Sequence, residues 1–295
     1  VNLTGGEPFA RKDITEIAKL YIKNTTIQSL YITTNASLPD RAEEFAKTII
    51  NLDKNIELTF QISIDDMPEN HDRVRKIKNL FNNCLDTYRR LKKISERVTP
   101  IVSITVTQEN CDNIENIFNY LTNKCNIQSL KCTLVRDEGI YKTPIEKKEK
   151  IYKAYAWLTN EINKLTKAKK LNNYNQKSIQ GKMHNKKDQI SWELIKEMYL
   201  KPKYISPCHA GGLFGIISAS GLIYPCEILE NKVIGNLREN NMDFMKIWQS
   251  KSAKNTKEFI LKTKCNCTYE CALTYNILGN WRYQPRLLSS VFYSY

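Results

Sequence analysis

The feature that most limits the fold of this 295-residue chain is a regular exchange of two hydrophobic periods across its first half. Short runs of branched and aromatic residues, Leu30–Asn35, Leu58–Asp65, Ile101–Thr107 and Ser129–Val135, have the composition of strands. Between them, apolar residues recur at three- and four-residue intervals, the period of an amphipathic helix. Val74, Ile77, Phe81, Leu85, Tyr88 and Leu91 form one such stripe, within a helix expected from His71 to Ile94. Asp13-Ile14-Thr15-Glu16 and Asp112-Asn113-Ile114-Glu115 have the form of capping boxes that open two more. Strands about 30–40 residues apart, each followed by a helix, imply parallel β/α units, because a parallel return needs a long crossover. The strand interiors are apolar, as expected where helices cover a sheet. An open or closed β/α barrel satisfies all of this.

The second half is organised differently. Pro144–Leu171 reads as a long Lys-rich helix, Asn172–Asp188 as a polar connector, and Trp192–Leu200 as a further helix. From Pro207 the chain becomes richer in Gly and Cys, with two short β runs, Phe214–Ser218 and Leu222–Tyr224, joined through Ser220-Gly221. Asp243–Leu261 is again helical in pattern. Three segments follow: residues 1–141 as the β/α core, 142–205 as a Lys-rich helical connector, and 206–295 as a small α+β domain.

The formal net charge of +14 invites a nucleic-acid reading, but its distribution weakens it. Between Lys142 and Lys203 there are 16 Lys, no Arg and 6 acids, a local net of +10, leaving +4 for the rest of the chain. Lys outnumbers Arg 34 to 11, whereas phosphate and base recognition favours the Arg fork. A solvated helical face explains the Lys excess, and nucleic acid is not an expected partner. An acidic leader peptide or acidic protein is the partner such a segment could attract, in a salt-sensitive way. No run approaches the ~18 apolar residues of a membrane span and no signal-peptide pattern follows Val1, so a cytoplasmic protein is expected.

In that compartment nine Cys read as thiols or metal ligands rather than disulfides. Cys84, Cys111, Cys125 and Cys132 lack ligand spacing and are expected as buried free thiols. The other five are concentrated: Cys208 and Cys226 bracket the β hairpin, and Cys265-Asn266-Cys267-Thr268-Tyr269-Glu270-Cys271 places three thiols within seven residues. That concentration implies a metal centre. Paired C-x2-C knuckles of a zinc ribbon are lacking, and an iron–sulfur cluster accepts uneven spacing, so iron–sulfur is favoured with zinc left open. Cys208, Cys226, Cys265, Cys267 and Cys271 are five candidates for four positions.

Barrel chemistry collects at the carboxyl ends of strands, and polar residues gather there. Gly5-Gly6-Glu7 reads either as an ordinary β/α turn or as a pocket in which a charged amino group meets backbone and a carboxylate. Thr33 and Asn35, with Ser63 and Asp65, have the groups to hold a ribose and an amino-acid moiety, and Arg75 could receive a carboxylate.

In this order the segments resemble the radical S-adenosylmethionine enzymes that carry a C-terminal SPASM or twitch-like auxiliary-cluster domain, over Thr4 to about Arg286. Thr4-Gly5-Gly6-Glu7-Pro8 is similar to the family's GGEP motif, which the resemblance assigns to the methionyl amino group, so Gly5, Gly6, Glu7 and Pro8 are expected at the cofactor. Ile32-Thr33-Thr34-Asn35 resembles the second-strand TN segment, Ser63-Ile64-Asp65-Asp66 the S-[IL]-D-G segment, and His71-Asp72-Arg73-Val74-Arg75 the HD-x-x-R that follows. Cys208-x12-Gly221-x4-Cys226 fits the C-x(9–15)-G-x4-C opening of the SPASM pattern. Asp66 and Lys76 stand where glycines are common, and the closing C-x-C-x3-C is shorter than the family's, which implies one auxiliary [4Fe-4S] cluster.

The resemblance implies a partial (β/α)6 TIM-like barrel whose first β/α unit is missing, with S-adenosylmethionine as cofactor. The C-x3-C-x2-C loop for the catalytic [4Fe-4S] cluster is absent from this sequence, so that cluster is expected from a segment before Val1, and this chain alone is expected to be inactive. The implied activity is generation of a 5′-deoxyadenosyl radical for hydrogen abstraction from a substrate, with a peptide or protein as the expected substrate and a ferredoxin- or flavodoxin-like reductant. The alternative is a catalytically degenerate iron–sulfur scaffold or electron-transfer protein. Sequencing upstream should reveal an in-frame C-x3-C-x2-C within about 50 codons, the length of one β/α unit plus a leader. A start codon immediately before Val1 is the contrary outcome.

Overall fold

A computed structural model describes residues 1–139, 142–174 and 178–292. The chain forms two compact units, one of Val1–Thr133 with Asn160–Tyr174, the other of Leu134–Thr159 with Asn175–Tyr295. The segment expected as a connector, 142–205, is thus divided between them.

The first unit is built on a five-stranded sheet in sequential order: β1 (Asn2–Leu3), β2 (Ser29–Thr34), β3 (Glu57–Ser63), β4 (Val98–Val106) and β5 (Leu130–Leu134). Strands β1 to β4 pair in parallel. At the far edge Val102 N donates to Ser129 O at 2.9 Å and the Thr105 and Thr133 hydroxyls meet at 3.0 Å, so β5 runs the same way. This is the β/α arrangement the alternating periods imply. Leu30, Ile32, Leu58, Phe60 and Ile62 are fully buried on one sheet face, while Tyr31, Thr33, Thr59, Gln61 and Ser63 alternate with them on the other.

Helices α1 (Ile14–Asn24), α2 (Pro39–Leu52), α3 (Pro68–Arg75), α4 (Leu80–Lys92) and α5 (Ile114–Asn119) lie between the strands. The helix expected over His71–Ile94 is in fact two. Lys76 (φ 56) and Asn79 (φ 61) take left-handed backbone between α3 and α4, where the intrahelical ladder cannot continue. The Asp13 capping box does not form either: both carboxylate oxygens are held by Arg11, at 2.8 and 2.7 Å.

An aromatic cluster seals this unit's core. Phe9 meets Phe45 edge-on at 5.5 Å and stacks on Phe60 at 6.1 Å, and Phe45 meets Phe60 edge-on at 6.2 Å. Phe9 comes from the turn after β1, Phe45 from α2 and Phe60 from β3, so the cluster fixes the turn bearing Glu7 against the sheet.

In the second unit α6 (Lys148–Lys167) contributes its first part, and α7 (Ile179–Tyr199) packs against α10 (Glu270–Leu278) and α11 (Gln284–Phe292). The expected connector Asn172–Asp188 gives way to helix from Ile179, with Ser178 Oγ accepting from Gly181 N at 2.9 Å. The buried face of α7 carries Lys187, ion-paired with Asp188, which hides its helical period in the sequence. A three-stranded antiparallel sheet, β6 (Ile216–Ile217), β7 (Leu222–Tyr224) and β8 (Gly235–Asn236), holds the hairpin. The helix expected over Asp243–Leu261 is broken at Gln249-Ser250 into α8 (Phe244–Trp248) and α9 (Lys251–Lys262), and Ser250 caps the latter through Ala253 N at 3.2 Å. Among the described residues no helix is long and apolar enough to cross a membrane.

Truncating the central member of the aromatic cluster, Phe60→Ala, should cost about 3–5 kcal/mol of stability. Urea unfolding monitored by circular dichroism measures this; a midpoint unchanged from wild type would contradict the packing described.

Candidate functional site

Two groups of candidate residues occur, one in each unit, and each stands on its own geometry. In the first unit they lie where β1 to β4 end. Gly5 has φ +133°, a backbone region that side chains rarely adopt, and no atom lies within 4 Å of where a Cβ would sit on Gly5 or Gly6. The turn therefore presents bare backbone to open space.

Glu7, the next residue, is a clasp. Its Oε1 accepts from Phe9 N at 3.0 Å and Thr34 Oγ1 at 2.8 Å, and its Oε2 accepts from Asn35 N at 2.7 Å. Pro8 opens the short 3-10 turn Pro8–Ala10 that Glu7 caps. Thr34 in turn accepts from Ala36 N at 2.9 Å, and Asn35 Oδ1 accepts from Ser37 N at 2.9 Å. The hydroxyl spent on the clasp is that of Thr34, whereas Thr33 points to the opposite sheet face and makes no hydrogen bond among the described residues.

Asp65 plays the same part between β3 and β4. Oδ1 accepts from Thr105 N at 2.9 Å, and Oδ2 takes both the Nε, at 3.1 Å, and the terminal nitrogen of Arg75. Arg75 is thus bound to Asp65 in this structure. Asp66 turns the other way and buries its carboxylate on Met67 N, at 2.8 Å, and on the Asn70 amide. Asn110, which the sequence reading missed, is 2% exposed and joins the two strand ends: its amide donates to Asp65 O at 2.7 Å and Thr105 O at 2.8 Å. Its signal is only a polar residue four positions after the end of a strand, too common to be informative.

His71 and Asp72 serve backbone. Asp65 N donates to His71 Nδ1 at 3.3 Å, which leaves the proton on Nε2, facing Cys84 Sγ at 3.9 Å. Asp72 accepts from Phe81 N at 2.8 Å and so caps α4, whose own N-cap, Asn79, makes no capping bond to the helix backbone and instead bonds the side chains of Asn82 and Asn83. Lys76 holds the left-handed C-cap of α3, the conformation that a glycine would take without strain. Among the described residues the Ser63 hydroxyl has no hydrogen-bond partner, and neither has the buried one of Ser103, its register partner on β4. Cys84, Cys111, Cys125 and Cys132 are all buried and unbridged.

In the second unit, Cys208 and Cys265 pack against Ala210, Cys226 and Ile260, in one apolar group with Phe214, Ile228, Leu229 and Phe259. The Cys265 thiol donates to Cys208, which brings Cys208 down to about 6 and pushes Cys265 up. Burial pushes Cys267 up to about 12, and the charges of Cys208 and Cys226 act in the same direction. Cys226 is raised by burial, against the pull of the Leu229 and Ile228 backbone N–H groups. Backbone N–H groups also favour charge on Cys208, from Ala210, and on Cys267, from Tyr269. Four sulfurs close enough to sense one another, three with amide hydrogens directed at them, suit an iron–sulfur cluster. Among the described residues no three His, Cys, Asp or Glu side chains converge on a single-ion position.

Cys271 is differently placed. It bonds the phenol of Tyr269, a ring buried at 3% exposure and covered by the Arg136 guanidinium at 4.1 Å. Arg136 is ion-paired with Glu227. Gly139 (φ +78°) passes so close to this segment that a Cβ would lie 2.5 Å from Glu227 O. Asp137 pairs with Lys148 at 3.8 Å.

Comparisons with known proteins agree with this division. Residues 1–121 match the Radical SAM superfamily, and residues 206–272 match an iron-sulfur cluster-binding domain, SPASM. The chain thus combines a Radical SAM domain with a SPASM domain, a combination that implies S-adenosylmethionine, a [4Fe-4S] cluster and auxiliary iron–sulfur clusters. Among solved structures it is similar to anSMEcpe, an anaerobic sulfatase maturating enzyme. Against the form with bound AdoMet and the Kp18Cys peptide, identity is 16% and the TM-score 0.59, over 90% of this chain and 70% of that one. Against the native form with bound AdoMet, identity is again 16% and the TM-score 0.59, over 99% and 81%. At that identity the likeness establishes the fold. No curated protein matches the chain.

Burial holds the His71 pKa below its ordinary value. In mildly acid solution, below the usual histidine pKa of about 6.5, the unfolded chain therefore binds more protons than the folded one, and stability falls as pH falls. His71→Asn, which keeps an acceptor near the Nδ1 position, should flatten that dependence between about pH 7.5 and 5.5. Urea midpoints at the two pH values read the difference, and parallel losses in both proteins would count against it.

Proposed function

We propose that this chain supplies the S-adenosylmethionine pocket and one auxiliary [4Fe-4S] cluster of a radical S-adenosylmethionine enzyme acting on a peptide or protein. The observation that carries the reading is the pairing of two constellations in one sequence: a bare Gly5–Gly6 turn clasped by Glu7 at a parallel strand edge, and four mutually sensing thiols in the second unit. The peptide part draws support from the similar solved structures, which hold Kp18Cys and Cp18Cys peptides beside AdoMet.

Within the pocket, the Gly5 and Gly6 backbone would meet the methionyl amino group, with Glu7 and Pro8 setting the turn. Thr33 and Ser63 offer hydroxyls with no other bond to make. Asn35 presents its side chain beside the clasp, and the Asp65–Arg75 pair fixes the neighbouring loop and leaves Arg75 at the pocket's edge. S-adenosylmethionine bound there would supply a 5′-deoxyadenosyl radical for hydrogen abstraction. The chain's own contribution is to orient the cofactor and hold the strand ends rigid around it.

In the second unit Cys208, Cys226, Cys265 and Cys267 would hold the cluster. Cys271, committed to Tyr269, is the fifth candidate and the one left over.

The test is anaerobic reconstitution of the full-length protein with iron counting. Ser substitution at Cys208, Cys226, Cys265 or Cys267 should each remove about four irons, the content of one cluster, whereas Cys271→Ser should retain them. Glu7→Ala should lower 5′-deoxyadenosine formation by at least tenfold while the iron content stays, since about 1.4 kcal/mol of lost positioning is a factor of ten. Full iron without any deoxyadenosine in several reductants would reject the enzymatic reading, and zinc in place of iron would reject the cluster.

A further inference from the structure

One buried amide stands on the helix that follows the thiol-bearing loop. Asn276, near the end of α10, is 6% exposed. Burying a side-chain amide costs free energy unless its polar atoms are bonded, and asparagine is a poor residue for a helix interior. Leucine, close to it in size, would pack there without either cost.

This part of α10 docks on the stretch that carries Cys208. Tyr275 stacks on Phe214, with ring centres 4.8 Å apart and 14° between the planes. A Cβ on Gly279, just past the helix, would lie 2.7 Å from Leu213 Cδ1 and 3.0 Å from the His209 ring, so the two segments approach closely there. Between these contacts His209 N donates to Asn276 Oδ1 at 2.8 Å. That bond fixes which way the amide faces. The oxygen must meet the His209 N–H, since two donors cannot pair, and the nitrogen takes the remaining side. It meets the sulfur of Cys208, the residue before His209, and favours the charged form of that thiol. Cys226 and Cys267 take their hydrogens from backbone N–H groups. Asn276 adds one from a side chain, which a substitution can remove.

We propose that Asn276 is a positioning residue for the auxiliary cluster, a role that rests on Cys208 being one of the cluster's ligands. Through its oxygen it sets the path of the chain beside Cys208. Through its nitrogen it donates to the Cys208 sulfur and raises the cluster's reduction potential. A reduced cluster carries one more negative charge than an oxidised one, and its sulfurs accept hydrogen bonds more strongly, so a donor there favours reduction.

The full-length protein, reconstituted anaerobically with its asparagine side-chain nitrogens isotopically labelled, tests this. Pulsed EPR of the reduced auxiliary cluster should show a coupling to a labelled nitrogen. The coupling should vanish in Asn276→Leu and in Asn276→Asp, which keeps an oxygen for His209 N and loses the donor. In an EPR-monitored redox titration, the oxidised-to-reduced ratio at a fixed potential should rise at least about threefold in Asn276→Leu, the low end of what one hydrogen bond is worth. Where Asn276→Leu fails to hold iron, Asn276→Asp carries the test: iron retained and coupling lost is the expected result. A wild-type cluster without the coupling, a coupling that persists in either variant, or an Asn276→Leu cluster at the wild-type potential would overturn the proposal and leave the cluster itself standing. A wild-type protein that assembles no auxiliary cluster would overturn both.

Discussion

Parallel pairing brings the carboxyl ends of neighbouring strands to one edge of a sheet, and each end leaves backbone N–H groups without a ladder partner. In this chain two carboxylates satisfy them. Glu7 takes the amides of Phe9 and Asn35, and Asp65 takes that of Thr105. Each spans two strands, so each fixes a loop as well as a charge. What remains at that edge follows by subtraction. Gly5 and Gly6 expose backbone because nothing covers them, and the hydroxyls of Thr33, Ser63 and Ser103 have no hydrogen-bond partner among the described residues.

The second unit solves a different problem. Around its hairpin the strands are two or three residues long, and the apolar groups there are small: one of Ile223, Ile234, Leu237, Ile247 and Ala253, another of Ala210, Cys226 and Ile260 with the flanking thiols. A region with so little apolar material per group gains from a cross-link that ties distant segments together. Cys208 precedes the hairpin, Cys226 follows it, and Cys265 and Cys267 come from the loop after α9, so four sulfurs gather three separate stretches of chain. Burial raises the Cys226 and Cys267 thiols, whereas amide hydrogens directed at the sulfurs favour the charged form a ligand adopts. The same sulfur atoms therefore serve packing without metal and would serve ligation with it.

The parallel sheet was legible in the sequence because strand period, helix period and crossover length are all local quantities. The errors fell where a distant or competing partner decides. Asp13 has every local credential of a helix cap, yet Arg11 occupies it. The stripe from Val74 to Leu91 continues through Lys76 and Asn79, and periodicity cannot register two residues that turn left-handed. Residues 179–188 look polar because the face of α7 that packs on α10 and α11 includes an ion pair. Strand β8 has two residues, too few to show any period. The candidate residues were legible as types and spacings, while their pairings were not. Nothing in the sequence separates Cys271 from the other four thiols, or says that Arg75 lies against Asp65.

The HD-x-x-R segment shows what such a motif encodes physically. His71 receives the amide of Asp65, Asp72 caps α4, and Arg75 neutralises the Asp65 carboxylate. All three conserve the path of a loop, and none need touch a ligand to do so. A match to these letters is therefore strong testimony about backbone geometry and weaker testimony about chemistry. The reverse holds for Thr33 and Ser63, which are ordinary strand residues by sequence and leave their hydroxyls open at the edge where the loops converge. Residues whose polar groups are already spent build the pocket, and residues whose polar groups are still open can read what enters it.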